Sequence, residues 1–110
     1  MLFRSLKSVE FFKQAIAADP EYAAAYAGLA TAYAYLSYGF GSMPVSKVEA
    51  EAREAAQKAV ELDPRLAGAH AALAIVRWFF DRRPAEAEQE FRTALELNPS
   101  ESTKIGRAHV

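Results

Sequence analysis

"AQKAVELDP", residues 56–64, is one of three similar segments in this chain; the others are "FKQAIAADP" at residues 12–20 and "FRTALELNP" at residues 91–99. Each reads as the end of an amphipathic helix followed by Asp or Asn and then Pro. The residue before a proline is disfavoured in the helical region, so each segment predicts a helix end. Apolar residues at helical spacing follow the first two of these ends, in "YAAAYAGLATAYAYLSY" (22–38) and "RLAGAHAALAIVRWFF" (65–80). The chain is therefore predicted to be all α-helical, with five helices at about 5–18, 22–37, 46–62, 66–80 and 84–97.

Local signals support these helices. Ser46 with Glu49 three residues later has the pattern of a capping box, in which side chains and backbone N–H groups at a helix start satisfy each other. Acid precedes base by four residues in Glu49 and Arg53, in Glu54 and Lys58, and in Glu88 and Arg92. This spacing predicts ion pairs on solvent-exposed helix faces.

The residue types along these helices resemble the tetratricopeptide repeat, which has an aromatic, a leucine, a small residue and an aromatic on its first helix. Its second helix carries small or aromatic residues and closes with a proline. One copy is Tyr26, Leu29, Ala30, Tyr33, Ala52, Ala56, Ala59 and Pro64, and a weaker copy is His70, Leu73, Ala74, Arg77, Ala87, Phe91, Ala94 and Pro99. A half copy precedes them, with Ser8, Phe12, Ala15 and Pro20. The resemblance implies a right-handed α-α superhelix of about two and a half repeats.

In such a superhelix, the small residues would set the distance between helices and the large rings would fill the gaps. The residues expected to pack are Phe12, Ala15, Tyr26, Leu29, Ala30, Tyr33, Ala52, Ala56, Ala59, Leu73, Ala74, Ala87, Phe91 and Ala94.

The copies divide the chain into segments. Residues 1–21 would be the second helix of a truncated repeat, 22–65 and 66–99 two repeats, and 100–104 the start of another. Pro64 and Pro99 are 35 residues apart, but Pro20 and Pro64 are 44 apart, so about ten residues are added to the first repeat. They lie at 38–47, "YGFGSMPVSK", and either form a tolerated loop or contact a partner.

The resemblance also implies a concave groove lined by the first helix of each repeat. The expected groove residues are Ala24, Ala27, Thr31, Tyr35, Gly68, Ala71, Ile75 and Trp78. Relatives that clamp the carboxylate tails of chaperones carry lysine and asparagine there. Small and apolar residues occupy those positions here, so an apolar helix or extended peptide is the expected partner.

Composition and motifs give no support for catalysis, for a cofactor or for a metal. The net charge of −1 favours neither nucleic acid nor anionic lipid, and the chain has no cysteine. His70 is expected to pack in the repeat rather than act as a catalyst, and no phosphate-binding loop is present. The uncharged stretch from Tyr22 to Ser46 is broken by two glycines and a proline, so a membrane span is not expected.

The expected function is that of a non-enzymatic, cytoplasmic scaffold for protein or peptide partners. The sequence from Ala15 to Ser100 resembles the repeat region that follows the effector domain of bacterial signalling proteins, such as winged-helix transcription regulators, nucleotide cyclases and serine/threonine kinases. One alternative is therefore an accessory region of a signalling enzyme, used for intramolecular packing or self-association through exposed repeat ends. A free-standing adaptor is a third possibility, although at least three repeats are usually needed.

Two features remain outside the repeat pattern. Trp78, Phe79 and Phe80 cannot all face one way on a helix, so they either pack against a further repeat or form a binding hot spot. The last six residues, IGRAHV (105–110), resemble the translation of a common sequencing-library adapter. They are expected to be a non-native tail in which His109 has no function, the alternative being a genuine disordered C-terminus.

Overall fold

Five α-helices follow one another in the structure, a computed structural model that describes residues 2–39 and 45–98. They are α1 (Leu2–Ala18), α2 (Ala23–Gly39), α3 (Val45–Leu62), α4 (Ala67–Phe79) and α5 (Pro84–Leu97). The prediction of five helices is confirmed, and the described residues contain no strand. Predictions about residues 40–44 of the insertion, about 100–104 and about the tail 105–110 fall outside the described residues.

The turns that join α1 to α2 and α3 to α4 are built alike. The Asp19 side chain accepts a hydrogen bond from the Glu21 backbone N–H at 3.1 Å, and the Asp63 side chain accepts one from that of Arg65 at 3.1 Å. Aspartate favours such turns because its side chain can bond to the backbone two residues later. The aspartate before each proline thus ends one helix and directs the chain into the next.

Helix α3 begins at Val45, one residue before the predicted cap. Ser46 therefore lies inside the first turn of α3 rather than at its N-cap. Glu49 accepts a hydrogen bond from Arg53 at 3.0 Å, which confirms that predicted pair. The predicted pair of Glu88 and Arg92 also forms, at 2.7 Å.

Helices α2 and α4 lie at the centre of the packing. α2 packs against α1, α3 and α4, while α4 packs against α2, α3 and α5. Within the described residues, α1 contacts only α2, and α5 contacts only α4. The described residues thus form α1 followed by two helix pairs, α2–α3 and α4–α5.

Alanine dominates the core because it lets helices approach closely. Ala30, Ala52, Ala56, Ala59 and Ala74 are fully buried, and so are Ala69 and Ala87. Tyr33 is the largest of the fully buried side chains, with 1% exposed. Packed interiors need such alternation of small and large side chains to fill space.

Most of the side chains expected to pack do so. Leu29 and Leu73 are buried, while Phe12, Ala15, Tyr26 and Ala94 are half-buried. Phe91 departs from the expectation, because its side chain is 40% exposed. No described helix covers that side of α5. None of the described helices is both long enough and apolar enough to cross a membrane.

Candidate functional site

An apolar groove of about 470 Å³ is lined by residues of α1, α2 and α4. Six of the eight predicted groove residues line it: Ala24, Ala27, Thr31, Tyr35, Gly68 and Ala71. The structure adds six that sequence reasoning did not place there: Ser8, Phe12, Gly28, Ala32, Leu66 and Ala72. Ser8 and Phe12 were missed because α1 was treated only as a packing helix.

The close approach of α1 to α2 shapes one wall of this groove. A Cβ atom at Gly28 would clash with Cζ of Phe12, so the Phe12 ring rests directly on the glycine. The Phe11 and Phe12 rings meet edge to face with centroids 5.4 Å apart. Glycine is therefore needed at position 28 to bring the Phe12 ring to the groove.

The groove offers shape and apolar surface rather than charge. None of its described lining residues carries a charge. The Thr31 hydroxyl donates a hydrogen bond to the Ala27 carbonyl at 3.0 Å, so its proton is already used. The Tyr35 side chain is 57% exposed and is the largest group available for contact. Such a surface suits an apolar helix face or an extended apolar segment.

Ile75 and Trp78 do not join the groove. They lie in a second apolar pocket of about 860 Å³ between α4 and α5, whose lining also includes Phe79, Phe91 and Leu95. We call these five residues the end face. Trp78 is 55% exposed and Leu95 49%.

The prediction for Trp78 was out of register by one residue. Ala24, Ala27 and Thr31 of α2 correspond to Gly68, Ala71 and Ile75 of α4, all 44 positions later, so Tyr35 corresponds to Phe79. Trp78 instead corresponds to Ala34, which is buried. Trp78 therefore stands on a packing position rather than on a groove position.

Tyr26 and His70 also correspond, and they make the same contact. The Tyr26 hydroxyl donates to the Pro20 carbonyl at 3.0 Å, and His70 Nε2 lies 2.7 Å from the Pro64 carbonyl oxygen. His70 Nδ1 lies 2.8 Å from Oε2 of Glu90 on α5. Both partners of His70 are acceptors, so both bonds form together only when the ring is protonated. His70 therefore links α4 to α5 and to the turn that precedes α4.

The environment of His70 changes its titration. Burial acts to lower the pKa of His70, but the hydrogen bonds to Glu90 and to the Pro64 carbonyl outweigh burial and hold the pKa above its usual 6.5. The protonated ring therefore persists at a higher pH in the folded chain than in the unfolded one.

A cluster of charged side chains lies at the C-terminal end of α4. The Asp81 carboxylate accepts hydrogen bonds from Arg53 of α3 and from Arg77 of α4, the latter at 2.8 Å. Burial acts to raise the pKa of Asp81, yet these two guanidinium groups outweigh burial and hold the pKa below its usual 3.8. All three side chains satisfy one another, so the cluster acts as a structural clamp.

The comparisons leave the family open. No protein-family model matches the chain, and no curated protein matches it. Among the residues that the structure describes, no three His, Cys, Asp or Glu side chains are grouped to hold a metal ion.

Proposed function

We propose that this chain is a segment of a right-handed tetratricopeptide-type solenoid that binds a protein or peptide partner. An apolar helix or extended segment of that partner would lie in the groove of α1, α2 and α4. The segment acts as a non-enzymatic, cytoplasmic scaffold and needs no cofactor.

The similarity of the two helix pairs supports the repeat part of the proposal. The Asp19 and Asp63 turns, and the Tyr26 and His70 contacts with proline carbonyls, recur at matching positions. The contact of α2 with α4 places the first helices of the two pairs side by side, as stacking of repeats requires.

The observation that carries the binding part is the uncharged, small-residue lining of the groove. Without charges, the groove cannot hold a carboxylate tail by ion pairs, so apolar contact must supply the affinity. The sequence resemblance further supports a role within a larger bacterial signalling or transcription-regulatory protein.

Selection of peptides from a displayed library tests this proposal. Peptides selected on the chain should carry apolar residues at helical or alternating spacing. Ala24→Arg should weaken their binding at least tenfold, because it places a charge at an exposed groove position. Ala50→Arg, at an exposed α3 position outside the groove lining, is the control and should bind normally. Equal binding by the two variants would contradict the proposal.

The exposed end face favours a second candidate function. The chain would be an accessory region that packs within a larger signalling enzyme or self-associates. Phe91 and Leu95 of the end face correspond to Ala56 and Val60, and Ala56 is fully buried in the α2–α3 pair that packs against α4. Sedimentation of the chain over a range of concentrations tests self-association. If the chain self-associates, it should form oligomers, and Trp78→Lys should dissociate them. A monomer at every concentration would contradict self-association.

A further inference from the structure

The end face has two counterparts elsewhere in the chain. In each of the three similar segments that end in proline, the first and the fifth residue are apolar: Phe12 and Ile16 in α1, Ala56 and Val60 in α3, and Phe91 and Leu95 in α5. The pairs of α1 and α3 are buried in the core or packed against it. In α5, by contrast, the side chains of Phe91 and Leu95 are 40% and 49% exposed. Within the described residues, only α4 contacts α5.

The helix that comes next in the chain covers the apolar pair in both earlier cases. α2 packs against α1, and α4 packs against α3. The Phe12 ring rests on Gly28, sixteen residues later, where a Cβ atom would clash with the ring. Ala72, sixteen residues after Ala56, is buried as well. A glycine thus follows the ring and an alanine follows the alanine, as close packing of large against small side chains requires.

The backbone leaves α5 as it leaves α1 and α3. The backbone N–H groups of Asp19, Asp63 and Asn98 each donate to the carbonyl four residues earlier, at 2.9, 3.0 and 3.0 Å. A proline follows each of these residues. After the first two, a helix begins four residues later, at Ala23 and at Ala67. The chain at Asn98 therefore ends its helix in the way that leads into a covering helix elsewhere.

The surface left open at the end face is apolar and suits a helix. Its pocket of about 860 Å³ is bordered by the Trp78 and Phe91 rings. Glu88 and Arg92, the charged residues of its described lining, bond to each other at 2.7 Å, so apolar contact must supply the affinity. Trp78 is 55% exposed, whereas its counterpart Ala34 is 2% exposed. Two large rings leave room between them for small side chains on the covering element.

A further apolar pocket, of about 500 Å³, joins this surface to the groove. Gly68 and Ala71 line both this pocket and the groove, and Phe91 and Leu95 line both this pocket and the end face. A helix that covers the end face would therefore also border an extension of the groove.

We propose that an amphipathic helix covers the end face, and that the polypeptide following residue 98 in the natural protein supplies it. Its contact face consists of small residues, with a glycine sixteen residues after Phe91 to receive that ring. In this sequence that position is Arg107, within the tail that is expected to be non-native. The inference rests on the repeat part of the proposed function and deepens it, since the covering helix lengthens the groove.

A graft of the chain's own helix tests the proposal. Residues 99–110 are replaced by a copy of residues 20–39, which contains α2 and places the copy's Gly28 at position 107. Trp78 is the only tryptophan in the sequence, so its fluorescence reports on the end face. Relative to the full chain, its emission should move to shorter wavelength and its quenching by acrylamide should fall. The urea midpoint of unfolding should rise by about 1 M, because apolar side chains become buried.

Two leucine variants of the grafted copy are the matched controls. Gly28→Leu in the copy places a side chain against the Phe91 ring and should abolish these changes. Ala24→Leu in the copy adds the same side chain at a position that is exposed in α2, and should retain them.

Unchanged emission and midpoint in the grafted chain, or equal effects of the two leucine variants, would overturn the proposal. Oligomers of the full chain in which Trp78 is already shielded from acrylamide would assign the end face to a second copy instead. If the graft fails while selected apolar peptides still bind the groove, this proposal falls and the proposed function stands.

Discussion

At the scale of single residues, Gly28 sets the distance between α1 and α2, since the Phe12 ring rests on it. Gly28→Ala should lower the free energy of unfolding by about 1–2 kcal/mol, because the ring must leave its place. Gly68→Ala is the control, since a Cβ there meets no atom within 4 Å. It should be neutral or stabilise the chain by up to about 1 kcal/mol. Urea unfolding of both variants checks this pair, and equal effects would contradict the role given to Phe12.

The Tyr33 hydroxyl is buried beside the Glu51 carboxylate, and no described group makes a hydrogen bond of good geometry to it, which costs the folded chain stability. Tyr33→Phe keeps the ring and removes the hydroxyl, so it should raise the free energy of unfolding by about 1 kcal/mol. Urea unfolding measures the change. A loss of stability would show that the hydroxyl already has a partner.

His70 should make stability depend on pH. Its pKa is raised in the folded chain, so its contribution is complete below the ordinary pKa of 6.5 and is lost as the pH rises through the raised value. Unfolding measured between about pH 6 and 9 should show this fall. Glu90→Gln should shift the fall to lower pH because the carboxylate partner is gone, whereas His109→Gln should leave it unchanged. A fall that persists in His70→Tyr would contradict the assignment.

At the scale of elements, the Asp81 cluster ties α3 to the end of α4. Asp81→Asn should lower the free energy of unfolding by about 1–2 kcal/mol, since two guanidinium groups lose their charged partner. Glu88→Gln breaks the pair with Arg92, whose side chains are 63% and 72% exposed, and should change stability by no more than about 0.5 kcal/mol. Thermal unfolding compares the two variants. Similar small effects would show that Asp81 does not clamp the elements.

The helices themselves could be predicted from the sequence because each end is marked locally. The aspartate and proline at 19–20 and 63–64 end helices by backbone restriction and by a side-chain hydrogen bond to the backbone, which need no tertiary partner. The predicted start of α3 is one residue late, because a helix boundary is defined only to within one or two residues. Phe91 was expected to pack but is 40% exposed, because α4 is the only described helix that contacts α5.

At the scale of the whole molecule, the groove was largely predictable and the charged cluster was not. Ala24 and Ala27 of α2, and Gly68 and Ala71 of α4, were expected to line a groove because the resemblance to the tetratricopeptide repeat implies one there, and they do line it. The Asp81 cluster joins α3 to α4, so only the packing of the helices reveals it. The end face was predictable only in part. Its apolar residues are evident in the sequence, but their exposure depends on how the helices pack.

The central claim is that the groove of α1, α2 and α4 receives the partner. The most direct measurement is an NMR map of the backbone signals that change when a selected apolar peptide binds the full chain. We predict that the changes centre on Ala27, Thr31 and Ala71, with little change at Glu54 or Leu95. Changes centred on Trp78 and Leu95 instead would contradict the claim and assign binding to the end face.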